Sequence, residues 1–141
     1  MFSFFVFHQE GDDGDATTAV AVSNNGYHIA VGHDSTALRF WDLRKQKVVA
    51  NLEKQLGSIK TVAFDRAGKY AAFGGKGGVK ITTIKEWGTT ASFVTKKMVS
   101  GIVWSSSNKS SDSVLEVSCD GERAVQLFGV ASSDAEMDLK E

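Results

Sequence analysis

Proline is absent from the 141 residues, cysteine occurs once and histidine three times. A lone cysteine, Cys119, excludes an internal disulfide and fits a reducing compartment. No run approaches the ~20 apolar residues that a membrane-crossing helix needs. The apolar opening Met1 to Phe7 has no basic leader and is too short for a signal peptide, so it reads as a strand. Neither sign of charge dominates: 16 Lys and Arg against 17 Asp and Glu leave a formal charge of −1. Phosphate backbones are held by a clustered excess of Lys and Arg, so direct nucleic-acid contact is not expected. Glycine is plentiful, with 14 copies, and with proline missing it suits many tight hairpins.

The hairpins repeat. In Gly26 to Arg44, Tyr27, Ile29 and Val31 alternate with smaller or polar residues, as on one face of a strand. His33-Asp34-Ser35-Thr36 makes a turn, and Leu38, Phe40 and Leu43 resume the apolar pattern around Trp41-Asp42. Two short strands cannot bury their faces alone. The stretch T-A-V-A-V-S-N-N-G-Y returns as K-T-V-A-F-D-R-A-G-K-Y, and a weaker copy begins at Gly101-Ile102-Val103-Trp104. A period of roughly 40–45 residues built from four short strands predicts an all-β WD-repeat β-propeller, in which Trp41-Asp42 closes the third strand of a blade. About three four-stranded blades fit, with repeats near 16–57, 58–97 and 98–130 in a partial propeller over 1–130, followed by a disordered acidic tail at 131–141. Closed rings carry about 4–8 blades. The ring is therefore expected to be incomplete, with missing blades supplied by the rest of the protein or by another chain, and the isolated chain is expected to associate through its open faces.

Strands are expected at Phe2–Phe7, Thr18–Val22, Tyr27–Val31, Leu38–Leu43, Val48–Leu52, Ile59–Phe64, Lys69–Phe73, Val79–Ile84 and Ala91–Val94. In the third copy they are expected at Gly101–Trp104, Val114–Ser118 and Val125–Phe128, with Ser105–Ser113 as a polar loop. Glu10 to Asp15 is acidic but lacks the alternating ligand order of a calcium loop. In Gly74-Gly75-Lys76-Gly77-Gly78 the lysine is not followed by Ser or Thr and a strand comes next, so the loop is a hairpin turn and not a phosphate cradle. Asn108-Lys109-Ser110 matches a glycosylation sequon by chance. His8, His28 and His33 share no spacing, a metal site from His28, His33 and Asp34 is disfavoured because a strand separates the histidines, and Cys119 ends a strand pattern as a buried side chain. No nucleophile with a base emerges, so no catalytic, cofactor or metal residue is assigned and the chain is expected not to be an enzyme.

The stretches G-Y-H-I-A-V-G-H-D-S-T-A-L-R-F-W-D-L-R-K, F-D-R-A-G-K-Y-A-A-F-G-G and V-K-I-T-T-I-K-E-W resemble the C-terminal WD repeats of the pre-mRNA-processing factor nineteen family, over about residues 16–130. The resemblance implies a protein-binding propeller in the nucleus, acting in pre-mRNA splicing with spliceosomal and NineTeen complex subunits and with ubiquitination substrates as partners. It also implies a ubiquitin ligase in the full-length relative, whose U-box is not found in this sequence. Turn residues are the expected partner contacts: His33, Asp34, Arg44, Lys76, Lys85 and Trp87. Trp41-Asp42-Leu43-Arg44 also fits the W-D-x-R box of substrate receptors of cullin-RING ubiquitin ligases, with Arg44 as the adaptor contact. The buried His–Asp–Ser/Thr–Trp network of many WD repeats is mostly missing, and Trp41 with Asp34 is expected to keep a fragment of it. Thr82 stands where the second copy would have its Trp.

Overall fold

Turn formers break the apolar alternation at equivalent places in the first two repeats, and the chain folds at those breaks. Ser23 and Asp65 open the two turns: the Ser23 hydroxyl accepts the His28 amide at 3.0 Å, and the Asp65 carboxylate accepts the Lys69 and Tyr70 amides at 2.8 Å each. Gly26 and Gly68 follow with φ of 73° and 69°, a left-handed conformation that side chains with a Cβ rarely adopt. The Gly26 amide donates to the Ser23 carbonyl at 2.9 Å, closing a four-residue loop.

A computed structural model describes residues 15–35, 37–53, 56–106, 113–122, 125–130 and 139–140. Twelve strands among them form three antiparallel sheets of four. Blade 1 holds β1 (Thr17–Val22), β2 (His28–His33), β3 (Leu38–Asp42) and β4 (Lys47–Leu52). Blade 2 holds β5 (Ile59–Phe64), β6 (Tyr70–Gly75), β7 (Gly78–Thr83) and β8 (Thr89–Val94). Blade 3 holds β9 (Val99–Ser106), β10 (Ser113–Cys119), β11 (Val125–Val130) and β12 (Leu139–Lys140). In each sheet the strands lie in sequence order. The innermost strands β1, β5 and β9 touch one another in turn, so the blades stack face to face.

Two cores fill the spaces between blades. Leu38, Phe40, Ile59, Ala71 and Phe73 are fully buried between blades 1 and 2. Val79, Ile81, Val99, Leu115 and Val117 fill the space between blades 2 and 3. Glycine sets how closely the blades approach. A Cβ on Gly32 would stand 2.7 Å from Ile59 Cγ2, and one on Gly74 would stand 2.7 Å from Val99 Cγ1. Each glycine seats the first residue of the next blade's inner strand. Hydrogen bonds tie the blades at the same places in successive repeats: Thr18 Oγ1 donates to the Ile59 carbonyl, Asn24 Nδ2 to the Arg66 carbonyl at 3.3 Å, and Trp104 Nε1 to the Ala63 carbonyl at 3.1 Å.

Several strand limits differ from expectation. Tyr27 lies in the loop and β2 starts at His28, because the connection from β1 to β2 takes the five residues 23–27 and not two. β3 stops at Asp42, whose carboxylate accepts the Arg44 and Lys45 amides and turns the chain. Tyr27, Ile29 and Val31 were read as the strand's apolar face, yet the fully buried face is the small one, Ala30 and Gly32 opposite Phe40 and Leu38. Bulky partners from blade 2 leave room there only for small residues. β9 is longer than expected and absorbs Ser105 and Ser106. Within the segment read as a disordered tail, Leu139–Lys140 pair with Phe128 and Leu127 as the fourth strand of blade 3. The expectations for Phe2–Phe7, His8, Glu10 to Gly14 and the Asn108 sequon lie outside the described residues.

Candidate interaction cleft

An up-and-down blade sends its turns alternately to its two ends. The β1–β2 and β3–β4 turns of blade 1 share one end with the β5–β6 and β7–β8 turns of blade 2. At this end the two blades part around a cleft of about 920 Å³. Arg44, Lys45 and Lys47 reach it from blade 1, and Lys69 and Lys85 from blade 2. Its acidic members are Asp42 and Glu86, so basic groups outnumber acidic ones five to two. Tyr70, Trp87 and His28 supply its aromatic lining.

Asp42 anchors the blade 1 side. Its carboxylate accepts the Arg44 and Lys45 amides at 2.9 and 3.2 Å and faces the Arg44 guanidinium at 3.1 Å. The Arg44 hydrogen bond leads in holding its carboxyl down to about 2, burial opposes, and the turn amides add to the lowering. Arg44 spends its fork on this pair and lays its guanidinium 4.1 Å above the Tyr27 ring. His28 stands 3.9 Å from the same carboxylate. Burial pushes its imidazole below the ordinary value, Asp42 works against this, and Arg44 and Lys45 reinforce it. Beside this cationic turn the neutral form of the ring is favoured.

Trp87 anchors the blade 2 side. It adopts φ of 58°, a costly left-handed conformation for a bulky residue. In exchange its ring crosses to blade 1, with centroids 4.6 Å from Phe40 and 5.6 Å from His28. It was expected to pack over a blade edge; it wedges between two blades.

The expected contact residues therefore divide by end. Arg44, Lys85 and Trp87 converge on the cleft. His33, Asp34 and Lys76 lie at the opposite end. His33, expected in a turn, ends β2 and is 1% exposed, because its ring tucks beneath the blade 1 rim with Nδ1 3.6 Å from Asp15 Oδ2. Asp15 also accepts the Ser35 amide at 2.9 Å and hydroxyl at 2.5 Å. Asp34 was expected to join a network with Trp41; its carboxylate instead accepts the Ser58 hydroxyl at 2.5 Å and links two blades. Lys76 is exposed, and its backbone carbonyl accepts the Gly57 amide at 3.0 Å. His28 and His33 sit at opposite ends of β2, beside different carboxylates. No cluster of three or more His, Cys, Asp or Glu side chains suited to a metal occurs among the described residues. Cys119 is buried, which raises its thiol above the ordinary value, with Glu122 adding to the rise. The sequence alone does not mark Lys45, Lys47 and Lys69; they meet because alternate turns of consecutive repeats come together in space.

The sheet stacking has close counterparts among solved structures. The beta-propeller domain of Myceliophteria thermophila Cps50 (Swd1) superposes with a TM-score of 0.71 at 17% identity, over 88% of this chain and 38% of that one. The blades are propeller blades. Kuenenia stuttgartiensis hydrazine synthase superposes with a TM-score of 0.69 at 16% identity, over 97% of this chain and 38% of that one. The chain thus spans well under half the length of either. At such identities the likeness shows the fold alone. No protein-family model and no curated protein matches the sequence.

Proposed function

We propose that the chain is part of a non-catalytic protein-interaction scaffold of the pre-mRNA-processing factor nineteen kind, acting in nuclear pre-mRNA splicing. The observation that carries the scaffold reading is the division of labour within the blades. Their apolar side chains fill the spaces between sheets, and the turns at the open ends present charged groups around a cleft large enough for a peptide. The residues from Gly26 to Lys45, with Phe64 to Gly75 and Val79 to Trp87, support the family. The test is affinity capture from nuclear extract, with nuclease added, using the tagged chain as bait. Spliceosomal and NineTeen complex proteins are the expected catch. A catch without them overturns the family assignment, and retention of no protein at all overturns the scaffold.

The W-D-x-R reading asks more of Arg44. Its guanidinium gives its Nε and Nη2 edge to Asp42 and covers Tyr27, which leaves an adaptor only the Nη1 side. Arg44→Ala is expected to leave the captured set unchanged. Loss of a cullin adaptor on that substitution would reverse the preference.

A further inference from the structure

We infer that the cleft between blades 1 and 2 docks an aspartate- and glutamate-rich segment of a partner protein. The inference rests on the scaffold reading and names the chemistry of the partner. The first ground is unneutralised charge. Lys45, Lys47, Lys69 and Lys85 come from three separate turns to one opening, and no ion pair or side-chain hydrogen bond engages their ammonium groups among the described residues. Asp42 is 3% exposed and taken by Arg44, which leaves Glu86 as the cleft's one exposed carboxylate. The chain as a whole carries −1, so this is a local excess and not a general basicity.

The second ground is the kind of cation. Four ammonium groups on flexible stems suit carboxylates spread along an extended segment. Arg44, whose planar fork would grip one phosphate, already has its Nε and Nη2 edge on Asp42. The third is that the ring best placed to stack on a nucleic-acid base is taken. Trp87 packs against Phe40 and His28.

The test is fluorescence anisotropy with a dye-labelled Glu-rich peptide, a Gln-rich copy of it and an oligouridylate, titrated with the whole chain. The Glu-rich peptide is expected to bind, and to weaken as salt rises from about 50 mM to about 300 mM. Lys69→Gln with Lys85→Gln is expected to weaken it about tenfold, through side chains exposed enough that thermal unfolding stays unchanged. Lys60→Gln with Lys96→Gln, exposed and outside the cleft, makes the same change in net charge and is expected to have no effect. Three results would overturn the proposal: equal binding of the Gln-rich copy, equal weakening by both double variants, or preference for the oligouridylate. Nuclear proteins captured equally by wild type and by the Lys69, Lys85 variant would remove the cleft and leave the scaffold standing, whereas no capture by wild type removes the scaffold itself.

Discussion

Asp42 and His28 face each other across β2 and β3, and both make stability rise with pH, each over its own range. The Asp42 carboxyl titrates near 2 in the folded chain, against about 3.9 unfolded. Its depressed value means that the stability it contributes is whole above the unfolded value and is lost as pH falls from about 4 toward 2. His28 is also depressed, below about 6.5, so the folded chain binds fewer protons there than the unfolded one. Stability should therefore rise with pH up to about 6.5 and level off above it. Denaturant titrations across pH should show both slopes. His28→Gln should flatten the upper one, and Asp42→Asn should erase the lower one. Asp42→Asn should also extend the upper slope to lower pH, because the charge that partly restores the imidazole is gone. A single slope surviving both substitutions would refute the assignment. Trp87 supports a second prediction. At its φ of 58° a Cβ costs about 1–2 kcal/mol, which glycine avoids. Both Trp87→Ala and Trp87→Gly lose the packing on Phe40, yet the glycine variant should be the more stable by about 1 kcal/mol, reversing the order found in ordinary strands. Equal stabilities would mean that the turn relaxes when the ring is removed.

Between blades, the repeating unit is a glycine on the second strand receiving a branched residue from the next inner strand. Gly74→Ala would bring its Cβ to 2.7 Å from Val99 Cγ1 and 3.0 Å from Ile102 Cδ1, inside a full core. Overpacking of this kind costs about 1–3 kcal/mol. Val99→Ala alone should also destabilise by leaving a hole. Together they should cost less than their sum, because the new methyl occupies space that the valine vacates. Additivity in that double-mutant cycle would show that Gly74 is not the seat. This seating also explains what could be read in advance. The period, the strand order and the turns at Gly26 and Gly68 were legible because turn chemistry is local and recurs at fixed offsets. The buried face of β2 was not, since it is the side with the smaller residues, and Ala30 and Gly32 look uninformative until Ile59 and Phe40 stand against them. Of the cleft, Arg44, Lys85 and Trp87 were legible as turn residues. Their convergence with Lys69 was not, because it depends on which end of the blade each turn occupies.

Among the described residues, the stacked blades leave a face uncovered at each end of the stack, and the two faces are chemically unlike. On blade 1, the face turned away from blade 2 carries Val20 and Val22, 66% and 56% exposed, beside the half-buried Val31, Ile29 and Trp41 with which they are in register. On blade 3, the described part of the outer face sets the exposed Val103 opposite Glu116, whose carboxylate accepts the Ser105 hydroxyl at 3.2 Å. Apolar burial drives association, and a carboxylate buried without a cation opposes it. The isolated chain should therefore pair through blade 1 against blade 1, an isologous contact that closes at a dimer, and not run head to tail into filaments. Sedimentation velocity across a range of concentrations should show a monomer–dimer equilibrium. Val20→Glu with Val22→Glu should abolish it by placing four carboxylates in the contact, and Val103→Glu should leave it intact. Open-ended growth, or dimers lost only on substitution of Val103, would mean that the blade 3 face engages as well and that apolar area alone does not choose the contact.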